Sequence, residues 1–324
     1  MKRTVHVGVC LFLVLAFTLP ALAQSGENAE WQAIEDQRDA RRKAELLDKF
    51  IKDRSSSAHR PDADLMLLDY YASNKDWAKI MAHADGFRQN LPTADAASKS
   101  KVYTQAMVAA ATLNNIAKTV EFGGYALQAE PNNLTVLSFF AQSNLPDATK
   151  AQEYAAKALT VPRPATMPED KYNATIGRMH AVVAPPLITQ QKFAEAQEHL
   201  SIALKANPKD HQSQYLTGFV NAALAGLSAR AAQDANDALI KAQLEKPVNQ
   251  ANVDAAKAKV DAASKEALQH RDDAVDSFAR AVAIGGPLTE QAKTLLDNVY
   301  KNKNNGSLDG EDQLIADKKK ELGL

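Results

Sequence analysis

Apolar and small residues recur along this chain three and four positions apart, the spacing of one face of an α-helix. In "FAEAQEHLSIALKANPKD" (193–210), Ala196, Leu200 and Ala203 share a face, and Pro208 then ends the run. "DAVDSFARAVAIGGP" (273–287) repeats the design with Ala274, Phe278 and Ala281. "IAKTVEFGGYALQAEPNN" (116–133) repeats it again, and "DATKAQEYAAKALTVP" (147–162) does so more loosely. Each closing proline cannot continue a helix, so each run predicts a helix with a sharp stop. Upstream of each run lies a second helical stretch, carrying Met107 and Ala110 in one case and Ala184 and Leu187 in another. "DLMLLDYYASNKDWAKIMAHADGFRQNLP" (64–92) shows the same two-part pattern, with Leu68, Tyr71, Trp77 and Ala84 on the packing face and Pro92 at the end.

Seven positions carry a family resemblance. Ala184, Leu187, Phe193, Ala196, Leu200, Ala203 and Pro208 match the small, large, aromatic, Ala, large, Ala, Pro order of the tetratricopeptide repeat, and Gly218 opens the next unit. The chain thus resembles that family most closely over 100–208. The resemblance implies an all-α fold: a right-handed superhelical array of antiparallel helix pairs. Its physical basis is that Gly or Ala lets two helix backbones approach while Leu, Phe or Tyr fills the adjoining hole. A single pair cannot bury its own apolar face, so pairs stack.

Departures from a steady 34-residue period locate the irregular parts. Ala126, Ala158, Ala203 and Ala281 should be equivalent, yet they lie 32, 45 and 78 residues apart. The middle interval contains the proline-rich loop 161–170, and Pro185-Pro186 falls where a helix is expected, predicting a kink or break. The longest interval holds an alanine-rich insertion. Val253, Ala256, Val260, Ala263 and Ala267 are spaced as a heptad seam, and Ala231, Ala235, Leu239 and Ala242 form a second stripe. Pro247 breaks the pattern between them and Asn249 is an N-cap candidate, predicting a long helical hairpin whose second arm runs on to Ile284. Residues 28–53, with Trp31, Ile34, Leu46, Leu47, Phe50 and Ile51, predict one long charged capping helix.

The expected organisation is a signal peptide over 1–23, a capping helix over 24–60 and helix pairs over 61–227. The hairpin follows over 228–267, then the last repeat helices over 268–306 and a C-terminal capping helix over 307–324. The leader reading rests on Lys2-Arg3, the apolar run from Val5 to Leu19, and Ala21-Leu22-Ala23, which together predict Sec export with cleavage before Gln24. Export points to the periplasm, or to secretion, and leaves no membrane-spanning segment in the mature chain. The one cysteine, Cys10, lies inside the leader, so the mature chain has no disulfide and no thiolate site.

Charge excludes one class of partner. Without Lys2 and Arg3 the 38 basic residues fall to 36 against 39 acidic ones. Nucleic-acid binding wants a basic face instead. Catalytic and metal motifs are also missing. The mature histidines form no HExxH, and His199 reads as a helix-surface residue. No GxSxG, Walker loop or strand-linked GxGxxG occurs, and "NNGSLDGED" fails as a calcium loop, because Gly306 at the sixth position makes Lys301 the first ligand and Gly310 there makes Ala316 the last. No cofactor or metal is expected.

The expectation is a non-enzymatic exported scaffold for a protein or peptide, with self-association left open. The family resemblance implies a concave surface built from the first helix of each pair. Carried across residue by residue, its groove positions are Asp62, Asp69, Lys101, Thr104, Ser138, Arg178, Gln212, Tyr215 and Phe219. Tyr215 and Phe219, one turn apart, are the aromatic anchor candidates, although packing against the next repeat accounts for them equally. The alternative is an envelope-assembly component that makes contact through the alanine-rich hairpin.

Overall fold

A computed structural model describes residues 26–90, 94–143 and 145–324. The leader and Pro92 lie outside these residues. The described residues are helical throughout, with short connections, and they divide into two units that meet between Val136 and Leu137.

The first unit opens with α1 (residues 26–35) and α2 (Ala40–Asp53), followed by α3 (Arg60–Ser73), α4 (Trp77–Asn90), α5 (Ala96–Thr112) and α6 (Ile116–Ala129). The single capping helix expected over 28–53 is therefore two helices. The break falls at residues 36–39, where the Asp39 carboxylate accepts a hydrogen bond from the Arg42 amide at 2.6 Å and caps α2. An aspartate that offers a backbone N–H an alternative partner favours a helix start over a helix interior. The turn brings Trp31 onto Phe50, with ring centroids 5.5 Å apart, and both are buried with Ile34, Leu47 and Leu67. Trp31 is a core residue.

The turn inside a pair is the same in three places. Lys75, Asn114 and Gln191 all take left-handed φ values between 56° and 59°. The following amide closes back on the preceding helix in each: Asp76 to the Tyr71 carbonyl at 2.9 Å, Asn115 to Ala110 at 2.8 Å and Lys192 to Leu187 at 2.8 Å. These six-to-one bonds satisfy carbonyls that the helix end would otherwise leave open. Turns between pairs also recur. Glu130 and Asn207 are extended, as a residue before proline must be, and Asn133 and Asp210 then cap the next helix through the amides of Val136 (3.1 Å) and Ser213 (2.9 Å).

The second unit contains most of α7 (Leu134–Ser143), then α8 (Ala148–Leu159), α9 (Glu169–Thr189), α10 (Phe193–Ala206), α11 (His211–Leu244), α12 (Gln250–Ile284), α13 (Thr289–Lys303) and α14 (Glu311–Glu321). Packing follows the predicted face. Ala158, Ala203 and Ala281 are buried, as is their counterpart Ala126 in the first unit. A Cβ added to Gly218 would lie 2.6 Å from the Phe278 ring, and one on Gly177 would lie 2.4 Å from the Ala206 Cβ. Glycine at these two positions lets α11 close on α12 and α9 on α10. Within each unit the helix pairs are those of a tetratricopeptide-like array.

Two expectations need correction here. Helix α9 runs through Pro185 and Pro186 without a break. These prolines take two amides out of the ladder within the last two turns of the helix. Residues of α10 and α11 pack around the segment, and Ala184 is fully buried beside it. The hairpin is present, with Asn249 capping α12 and Gly285 ending it at φ 74°. Its second stripe is shifted, however. Ala231 is exposed and Ala232 takes its place in a seam with Ala235, Leu239 and Ala242. Apart from Ala242 that seam is only half-buried, as is the facing stripe from Val253 to Ala267.

Helix α14 is held by charge and by a few apolar contacts. Arg280 on α12 binds Asp276 and Glu321, each at 2.6 Å, and Lys318 binds Asp276 at 2.5 Å. Glu311 is buried and meets Lys293 of α13 at 2.9 Å. Leu314 and Ile315 pack on the cluster around Phe278 and Leu296.

Candidate functional site

The groove candidates separate with the two units. In the first unit Asp62 and Asp69 lie two turns apart on α3, both exposed. Asp69 is not a free charge. It pairs with Lys101 of α5 at 2.7 Å and accepts from the Gln105 side-chain amide at 3.1 Å. Thr104 accepts from the Asn133 side chain at 2.9 Å, and the same amide reaches the Ser100 hydroxyl at 2.8 Å. Neighbouring first helices are thus tied together by groove-position side chains. What remains for a ligand here is the exposed Asp62 carboxylate and hydrogen-bonding side chains.

In the second unit the candidates diverge more sharply. Ser138 is buried, with its carbonyl accepting from the Gln142 amide at 2.9 Å. Tyr215 is half-buried against Phe278, edge to face at 6.1 Å, so it belongs to the core of the next pair. Phe219, one turn on, is 40% exposed and keeps an aromatic surface open to solvent. Arg178 and Gln212 come together. They line one side of an open cleft of about 510 Å³ between α9, α10 and α11, with Gln142, Asn207 and Asp210 supplying further polar atoms. Ala174, Gly177, Ala181, Val182, Ala203 and Ala206 are its apolar lining. Gly177 lets α9 and α10 approach there. The Arg178 guanidinium donates to the Thr175 hydroxyl at 3.2 Å and is exposed. A guanidinium and a carboxylate beside amide groups and small apolar side chains can hold an extended peptide backbone.

Sequence spacing could not show two other polar groupings. Arg60, Asp64 and His83 form a buried set in the first unit: Arg60 meets Asp64 at 3.0 Å, and His83 meets it at 3.1 Å. His180 of α9 and His199 of α10 face each other with Nδ1 atoms 2.9 Å apart, so His199 is not the lone surface residue its helix position suggested. Burial holds the His180 imidazole below its ordinary pKa, and the neighbouring His199 adds to the effect. Both groupings join residues 19 positions apart on successive helices, which only the pairing geometry brings together.

Among the described residues no three His, Cys, Asp or Glu side chains converge as a metal cluster, and no helix is long and apolar enough to cross a membrane. No protein-family model matches the chain, and no curated protein matches it. Several solved structures resemble it, three of which follow. A tetratricopeptide repeat protein from Parabacteroides merdae ATCC 43184 is 14% identical, with 85% of this chain and 99% of that chain covered and a TM-score of 0.40. A TPR repeats protein from Bacteroides fragilis NCTC 9343 is 15% identical, with 75% and 98% covered and a TM-score of 0.33. The APC/C hetero-tetramer Cut9–Hcn1 gives a chain 14% identical, with 87% and 52% covered and a TM-score of 0.29.

Proposed function

We propose that this protein is a non-enzymatic exported scaffold that holds a protein or peptide segment in the cleft lined by Arg178 and Gln212. The observation that carries the reading is the composition of that cleft: one exposed guanidinium, one carboxylate (Asp210), several amide groups and a lining of alanines and valine. Such a surface supplies hydrogen bonds for an extended backbone and one charge-assisted contact. The leader pattern at the start of the sequence supports export to the periplasm, with cleavage before Gln24. Phe219 is the adjoining anchor, whereas Tyr215 serves the core.

Affinity capture from envelope extracts tests this. Arg178→Ala with Gln212→Ala should lose the partner seen with the unaltered chain, and Phe219→Ala should weaken its capture. Retention of the same partner at full yield by the double variant sinks the cleft reading. The envelope-assembly reading draws on a different observation. Ile240, Leu244 and Val248 at the hairpin end are 48%, 73% and 54% exposed, an apolar tip without a covering element among the described residues. Deleting residues 229–265 abolishes capture if this arm is the contact and leaves it intact if the cleft is.

A further inference from the structure

The histidine pair on α9 and α10 has no part in the cleft. His180 follows Arg178 by two residues, which turns it about 200° around the helix. We propose that His180 and His199 form a two-nitrogen site for a divalent transition metal of tetragonal preference, copper(II) first among them. The Nδ1 atoms are 2.9 Å apart, with ring centroids at 4.8 Å and planes inclined by 50°. Two imidazole nitrogens each about 2.05 Å from one ion subtend about 90° when they are that far apart, and a tetrahedral angle would need about 3.3 Å. Cis coordination at a right angle suits copper(II) or nickel(II), and copper(II) stands highest in the affinity order for nitrogen ligands.

The helices supply the preorganisation. Ala184, Ala196 and Leu200 are fully buried where α9 meets α10, and the close approach of Gly177 to Ala206 fixes the spacing one turn away. In the metal-free pair one ring donates its Nδ1–H to the other's Nδ1 lone pair. Binding needs both lone pairs. The donor ring therefore moves its proton to Nε2 through solvent, and no net proton is released from the neutral pair. Both rings are half-buried rather than sealed, so the ion has an entry path. No third His, Cys, Asp or Glu joins them among the described residues, and water completes the coordination. The site is consequently labile, of the kind that binds and releases metal.

The full chain, purified without a polyhistidine tag, is titrated with copper(II) alone and followed by electron paramagnetic resonance and thermal unfolding. The expected result is one equivalent bound with hyperfine structure from two nitrogens, and a rise in Tm because the ion bridges two helices. His180→Gln and His199→Gln should each weaken binding at least tenfold and abolish the Tm rise, while His211→Gln and His270→Gln leave both unchanged. Circular dichroism of each variant confirms that the helices persist. Copper binding of equal strength in the His180→Gln/His199→Gln double variant overturns the proposal. A spectrum of the unaltered chain without two coordinating nitrogens does the same, and needs no variant to fold.

Discussion

At the scale of single residues, space between helices decides which side chains the chain can carry. Gly218→Ala places a methyl 2.6 Å from a buried phenylalanine ring that cannot move aside, so it should cost about 1–3 kcal/mol in urea unfolding. Gly124 is the matching control. It sits inside α6 with nothing within 4 Å of an added Cβ, and Gly124→Ala should stabilise by about 0.5–1 kcal/mol. Caps act at this scale too. The Asp95 carboxylate accepts from the Ser98 hydroxyl at 2.7 Å and the Ser98 amide at 2.9 Å, which lowers its pKa below the ordinary 3.8. A depressed carboxylate contributes stability above its unfolded pKa and loses it as the pH falls through the folded value. Asp95→Ala should therefore cost about 1 kcal/mol in urea unfolding at neutral pH, with the deficit shrinking at pH 3. Gly218 was legible from its place in the repeat. The His180–His199 contact was not, because its two halves share neither a helix nor a short spacing.

At the scale of elements, helix ends were easier to read than helix interiors. Pro131, Pro208 and Pro287 marked ends because proline cannot extend a helix, and Asn249 marked a start because its side chain caps. Pro185-Pro186 misled for the converse reason: tertiary packing by α10 and α11 outweighed a local preference for breaking. The turns inside pairs left no glycine signal, since Lys75, Asn114 and Gln191 take the left-handed region themselves. That conformation costs a residue with a Cβ about 1–2 kcal/mol. Glycine avoids the strain but has more unfolded-state entropy to lose. Gln191→Gly should raise stability by about 0.5–1 kcal/mol, read from the shift in urea midpoint. The hairpin arms make the opposite case. Their alanine seams bury little apolar area, and a methylene-sized group contributes only about 0.8 kcal/mol when buried. Amides from about 231 to 263 should exchange hydrogen orders of magnitude faster than those around Gly218 and Phe278. Equal protection along α11 and α12 would mean that something else covers the arms.

At the scale of the whole molecule, the repeat explains how a chain without a cysteine among its described residues holds many short helices together. Each pair closes its apolar face on a neighbour, and in the second unit α14 covers the last pair with Leu314 and Ile315 while its charges stay at the rim. The same arrangement underlies the proposed binding surface. First helices present polar side chains between pairs, and where these are already joined, as in Asp69–Lys101, the surface is spent on structure. Arg178 and Gln212 remain available, and no single-helix pattern distinguished them from Lys101. Site-specific photocrosslinking in the intact envelope tests the scaffold account most directly. A photoreactive residue at Gln212 should trap a discrete partner, and one at Leu244 should not. Trapping from Leu244 with none from Gln212 would contradict it.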